Sequence, residues 1–394
     1  MKTYLFSALV FLFIGCGSNK SETITEIEVE SSKAEDPNIP IKQIGELVIP
    51  VDSLTTKHAS KFQYYNDGED EWYVTLNHLE HSIIFNSIDN PDNQWKIQLQ
   101  RDGPNRVRNF EYPGVSGLYV HTFDSIFLFN YYDEFIYQIN RQGEVITSVS
   151  AGNKFDFKGE VISPSNFWFE NGKVYLIGNI TVPLTTQMAK DPGPITSYDE
   201  YLFVYDLASE TYELKLTFPE IYKSRRFTPQ DYFFSIIRNP LENNYIISYP
   251  FLSEVSVTND FENFETKPYF KEGYSNLLAN YPAESPNLRD TWMQMDRFGR
   301  IYFDPYRQWY FRFFKSGVPV SMLSETDEYI FDKYDKYYVV YDADFNPLFE
   351  WDVSDYRFGD IFFGEKGIYI GKEDGYEDED NKTYLIFNLK EESL

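Results

Sequence analysis

Only one cysteine, Cys16, occurs in 394 residues, so no intrachain disulfide and no cysteine-built metal site can form. Basic charge is scarce as well. The chain has 35 Lys and Arg against 62 Asp and Glu, and its net charge of −27 argues against nucleic acid as a partner and against polybasic attachment to anionic lipid. A long apolar run is missing: "YLFSALVFLFI", Tyr4 to Ile14, is eleven residues, and a spanning helix needs about 20. There is also no G-x-S-x-G, G-x-G-x-x-G, P-loop or H-E-x-x-H signature, so the commonest hydrolase, dinucleotide, nucleotide and zinc-protease sites are not announced. Nothing calls for a cofactor.

What is present begins at the N-terminus. Lys2, the apolar run and Gly15 have the layout of a secretory signal peptide over residues 1–15. "FIGC", Phe13 to Cys16, resembles a bacterial lipobox with Phe where Leu is usual; the resemblance implies lipidation of Cys16, which becomes the mature N-terminus. The plainer account is a cleaved signal with a chance cysteine. Residues 16–43 are rich in Ser, Thr and Glu and have no aromatics, as a disordered acidic tether would. Two or more acyl chains hold a protein stably at a membrane where one does not. Gly17, not Asp, follows the cysteine, which by analogy with bacterial lipoproteins permits sorting to the outer membrane. The expected location is therefore the cell envelope, lipid-anchored, with the side it faces left open.

The rest, residues 44–394, is read as one all-β domain. Its 33 Tyr, 35 Phe and 6 Trp suit a large β-rich core with many inter-sheet contacts. A unit of short period-2 runs separated by Gly, Asn and Asp turns recurs six times. Its third strands are "SIIFNSIDN" from Ser82, "FIYQINRQGE" from Phe135, "LFVYDLASE" from Leu202, "EVSVTNDFEN" from Glu254, "YVVYDADFN" from Tyr338 and "YLIFNLKEE" from Tyr384. The last unit lacks a fourth strand, and "GELVIPV", Gly45 to Val51, is spare. Adding it there predicts a six-bladed β-propeller of four-stranded antiparallel blades, closed by an N-terminal strand that completes the last blade. "TWMQMD" from Thr291 and "GRIYFDPY" from Gly299 are read as the first two strands of blade five. "QWYFRFF", Gln308 to Phe314, is then an extended hairpin or, in the alternative count, a seventh blade.

The lipobox, the length and "MDRFGRIYFDPYRQWYFRFF" (Met295 to Phe314) together resemble an uncharacterised Bacteroidota lipoprotein family, that of the domain of unknown function 4221. The resemblance implies a TolB-like six-bladed propeller and brings no assigned activity with it.

Long segments fall between strands two and three or between blades, on one face of such a ring, and long loops in compact domains are more often functional. Arg101, Arg106, Arg108, Arg225, Arg226, Arg289, Arg307 and Arg357 map there, eight of 13 arginines. Guanidinium groups suit bidentate recognition of carboxylate or phosphate. With Tyr306 and Trp309 as stacking partners they form a candidate ligand site for an acidic saccharide, a peptide or an envelope protein. The competing reading is that these arginines pair with the chain's own carboxylates. His78 and His81 form H-x-x-H without a third ligand nearby, and "NDGEDE" (Asn66 to Glu71) and "DGYEDEDNK" (Asp374 to Lys382) lack calcium-loop spacing, so no metal is expected. The sequence thus favours a non-enzymatic binding or interaction module. The alternatives are a polysaccharide-directed hydrolase or lyase, with carboxylates from different blades meeting at the channel mouth, and a structural subunit.

Overall fold

The computed structural model describes residues 40–51, 62–90, 93–103, 105–108, 110, 115–130, 133–151, 167–177, 201–223, 234–268, 277, 293–319, 334–373 and 380–390. Strand β1 (Ile41–Pro50) opens the chain and is held for the last blade. Blade one is β2 (Phe62–Asn66), β3 (Glu71–Asn77), β4 (Ser82–Ser87) and β5 (Gln94–Gln98). Blade two is β6 (Val115–Thr122), β7 (Ser125–Asn130), β8 (Phe135–Ile139) and β9 (Val145–Ser150). Blade three is β10 (Phe167–Glu170), β11 (Lys173–Ile177), β12 (Leu202–Asp206) and β13 (Thr211–Lys215), followed by the short helix α1 (Glu220–Lys223). Blade four is β14 (Ser235–Asn239), β15 (Asn244–Ser248), β16 (Val255–Thr258) and β17 (Glu265–Lys267). Blade five is β18 (Arg297–Asp304), β19 (Trp309–Lys315), β20 (Lys336–Tyr341) and β21 (Pro347–Asp352). Blade six is β22 (Tyr356–Phe363), β23 (Ile368–Lys372), β24 (Asn381–Leu389) and, as its outer strand, β1.

All pairings are antiparallel and sequential except that closure, in which β1 runs beside β24 from Ile41↔Leu389 to Pro50↔Asn381. The six-bladed, all-β expectation is met and the count of seven is not. Strand β1 starts at Ile41, so the last residues assigned to the tether already belong to the ring. First strands of neighbouring blades adjoin: the Gln63 side chain exchanges two hydrogen bonds with the Val120 backbone, and the Ile301 N–H donates to Ser235 Oγ. Side chains alternate along each strand, so each sheet packs on a neighbour through both faces. The core is accordingly distributed between blades. Trp72, Phe85 and Leu128 lie in the cluster shared by blades one and two, and Leu47, Ile49, Tyr73 and Tyr384 in that shared by six and one.

Antiparallel order fixes two faces. Links between blades and turns between strands two and three lie on what we call the upper face; the other turns lie on the lower face. Upper-face connections include all the long ones, whereas lower-face turns are short and self-capped. Asp206 Oδ1 accepts from the Ala208 and Ser209 N–H groups, and Asp260 Oδ1 from those of Glu262 and Asn263. These N–H donors hold both carboxyls below the usual range, led by Ser209 for Asp206 and by Asn263 for Asp260. A depressed folded pKa contributes stability that is present above the unfolded value of 3.8 and lost as the pH falls through the lower folded value. Urea midpoints should therefore decline as the pH drops below about 4. Replacing both residues with Asn should flatten that decline; an unchanged slope would mean these caps do not contribute.

Blade five departs from the expected register. Met293 and Gln294 are helical, not extended, and the blade's first strand is β18. Asp304 ends it: its Oδ1 accepts from the N–H groups of Tyr306 (2.9 Å) and Arg307 (3.2 Å), and Pro305 favours the turn. The segment Trp309–Lys315 is consequently the second strand of blade five and neither an extra hairpin nor an extra blade. This shift of one strand carries Tyr306, Arg307 and Trp309 to the lower face.

Candidate functional site

The link from β5 to β6 crosses the upper face between blades one and two. Val107 and Phe110 are buried and pin it, while Arg101, Arg106 and Arg108 are exposed. Arg106 and Arg108 flank Val107, and both are exposed while the valine is buried. Phe110 is held by two histidines. His78 Nδ1 meets the Phe110 carbonyl at 2.8 Å, and the rings of His78 and His81 lie 5.4 and 5.2 Å from that of Phe110. The H-x-x-H pair thus supports the loop. Among the described residues no group of three or more His, Cys, Asp or Glu is arranged to hold a metal.

The three arginines differ in what steadies them. Arg101 Nη2 donates to the Leu79 carbonyl at 2.8 Å, the Arg108 guanidinium lies 5.6 Å over the Phe135 ring, and the Arg108 carbonyl accepts from Asn130 Nδ2. Arg108 and Arg106 also act on Tyr137, whose pKa burial raises and whose nearby positive charges oppose that rise. None of the three forms an ion pair with a described residue. The competing reading holds elsewhere: Arg307 pairs with Asp304 at 2.8 Å, Arg357 with Asp360 at 3.3 Å, Arg141 with Asp124 at 2.7 Å, and Arg238 with Glu170. In a chain with 62 acidic residues, three exposed guanidinium groups without a carboxylate partner among the described residues stand within eight positions.

Arg225, Arg226 and Arg289 lie outside the described residues, as does Cys16. Tyr306, Arg307 and Trp309 do not join the arginine loop. Arg307 is consumed by Asp304, whose carboxyl is raised by burial against the opposing pull of Arg307, and it reaches Asn388 Oδ1 at 3.4 Å. Trp309 packs edge-on against Phe349 at 5.7 Å. Tyr306, half exposed, has its hydroxyl 2.5 Å from that of Tyr64 and 3.2 Å from Asn66 Nδ2.

On the first strand of blade six, Asp360 follows the positive-φ Gly359 at a bulge and is held by Lys382 at 3.1 Å as well as by Arg357. Lys382 is buried, donates to the Tyr73 hydroxyl at 3.0 Å, and fastens blade six to blade one. The sequence did not point to this cluster, because Tyr73 lies 309 positions from Lys382.

The ring of six four-stranded blades, with its long connections on one face, defines a β-propeller. The chain belongs to the family of the domain of unknown function DUF4221, whose model matches residues 38–352, that is, β1 and blades one to five. A solved member of that family from Bacteroides vulgatus is 18% identical, with a TM-score of 0.67 over 90% of this chain and 99% of that one. A Bacteroides fragilis protein described as exported is 13% identical, with a TM-score of 0.54 over 91% and 98% of the two chains. At such identities the likeness shows the fold. No curated protein matches the chain. No helix among the described residues is long and apolar enough to cross a membrane.

Proposed function

We propose that this protein is a lipid-anchored module of the cell envelope that binds a carboxylate-bearing ligand, an acidic saccharide or peptide, on its upper face. The observation that carries the reading is the loop of Arg101, Arg106 and Arg108, exposed and free of ion pairs among the described residues. Placing three like charges together costs repulsion, and a bound anion relieves it. Arg106 and Arg108 on either side of the buried Val107 present two planar forks from one loop, chemistry suited to a carboxylate. Arg225, Arg226 and Arg289 lie outside the described residues and are not part of this reading. Anchoring rests on Cys16 in its lipobox, and an exported structural relative agrees with an envelope location. Of the described carboxylates near the inner strand of blade six, Asp360 is occupied by two cations, which favours binding over a hydrolytic carboxylate pair.

A thermal-shift comparison of oligogalacturonate with neutral malto-oligosaccharides tests the ligand class. The acidic oligomer should raise the melting temperature by a few degrees at saturating concentration, less at higher salt, and not in an Arg106→Ala, Arg108→Ala double variant. Equal shifts with the neutral oligomer would contradict the reading. For the anchor, Cys16→Ser should move the protein from the membrane to the soluble fraction.

A further inference from the structure

The turn between β3 and β4 stands beside the arginine loop on the upper face, and the two are fastened together. His78 Nδ1 meets the Phe110 carbonyl, Arg101 Nη2 donates to the Leu79 carbonyl at 2.8 Å, and the Leu99 N–H donates to the His81 carbonyl at 2.9 Å. Inside the turn, Asn77 Oδ1 accepts from the Glu80 N–H at 3.0 Å, and His81 takes a positive φ of 56°. The Glu80 carboxylate is engaged by Lys96, so the turn brings no idle acid to the arginines.

At the apex sits Leu79, 58% exposed, the most exposed large hydrophobic side chain among the described residues. A lone exposed leucine is ordinary; here its neighbours give it a use. The Phe rings described at the loop do not present the open face on which a saccharide would stack. Phe110 is fully buried, and Phe135 is partly buried with the Arg108 guanidinium over its ring. Tyr306 and Trp309 are on the lower face. What the surface presents is therefore an aliphatic side chain next to guanidinium groups. A uronate sugar has the carboxylate for the second and no aliphatic branch for the first. An acidic peptide carries both, because Glu or Asp can stand beside Leu, Ile or Val in one chain. Apolar contact with Leu79 then adds affinity that the saccharide lacks.

We propose, resting on that carboxylate-binding reading of the upper face, that its ligand is an acidic peptide segment with an aliphatic residue among its carboxylates. Arg101, Arg106 and Arg108 take the carboxylates, and Leu79 takes the aliphatic side chain.

Fluorescence anisotropy of two labelled peptides, EELEE and EESEE, titrated with the full chain and with Leu79→Ser, tests this. The peptides have the same charge and differ in one side chain. EELEE should bind the parent about five- to tenfold more tightly than EESEE does. Leu79→Ser should remove that advantage and leave the EESEE affinity and the melting temperature unchanged, because the side chain it alters is exposed. Equal affinity of the two peptides for the parent, or an advantage that persists in Leu79→Ser, would overturn the proposal. So would binding of oligogalacturonate through Arg106 and Arg108 with neither peptide bound, a pattern that keeps the carboxylate reading and gives the site to saccharides. Binding of none of the three would overturn both.

Discussion

A chain that begins at Val51, without β1, should lose its cooperative thermal transition. Strand β1 supplies the outer edge of blade six and pairs with β24 from Ile41↔Leu389 to Pro50↔Asn381. It also buries Ile41, Leu47 and Ile49, the last two against Tyr73, Phe362, Tyr369 and Tyr384 between blades six and one. Exposing those three aliphatic side chains forfeits roughly 5–9 kcal/mol at about 1.5–3 kcal/mol each. That equals most of the 5–15 kcal/mol by which a typical domain is stable, before the lost ladder hydrogen bonds are counted. The bare edge of β24 would in addition invite pairing between chains. Near-UV circular dichroism melts of chains starting at Pro40 and at Val51 make the comparison. A single sharp transition in the shorter chain, at an unchanged temperature, would show that closure by β1 is dispensable. Partial rescue by the peptide Ile41–Pro50 added in trans is the positive control.

The second large effect is expected at Arg312. This side chain lies on β19 and is fully buried, with its guanidinium 3.6 Å over the Phe298 ring. Nε donates to Ser248 Oγ at 2.9 Å, Nη1 to the Ser253 carbonyl at 3.1 Å, and Nη2 to the carbonyls of Tyr249 and Leu252 at 3.0 and 2.7 Å. The donors clasp the turn between β15 and β16 and tie blade four to blade five. Arg312→Met keeps the bulk and removes every donor, leaving buried acceptors unmet, for an expected loss of about 3–5 kcal/mol. Arg312→Lys retains the charge but cannot reproduce the planar fork, so it should recover only part of that. Urea unfolding measures both. A midpoint for Arg312→Met close to that of the parent would mean the clasp is energetically idle.

Arg312 also shows what could be read from the chain and what could not. Within "QWYFRFF" it is a lone charge in an aromatic strand, a pattern that implies a buried cation with backbone or carboxylate partners. Its place inside a strand, away from the loops, gives no sign of a ligand role. Blades one to four and six were legible from period-2 runs and polar turns, and the spare strand near the N-terminus from the absence of a fourth strand at the C-terminus. Blade five was not. "TWMQMD" alternates as a strand would, yet Met293 and Gln294 coil, and the hairpin is set by the side chain of Asp304. That local hydrogen bonding decided which face receives Tyr306, Arg307 and Trp309, so both expected stacking partners moved away from the arginine loop. The arginine loop itself was visible as three basic residues within eight positions of an acidic chain. That no described carboxylate pairs with it was not visible, because pairing depends on which blades become neighbours.

The central functional claim is that the upper-face arginines recognise a carboxylate-bearing ligand. Fluorescence anisotropy of labelled oligogalacturonate, titrated with the full chain and with the Arg106→Ala, Arg108→Ala variant, tests it most directly. The account predicts saturable binding by the parent that weakens with salt, and an affinity reduced on the order of 10- to 100-fold in the variant, at an unchanged melting temperature. Equal affinity in the two proteins would contradict it.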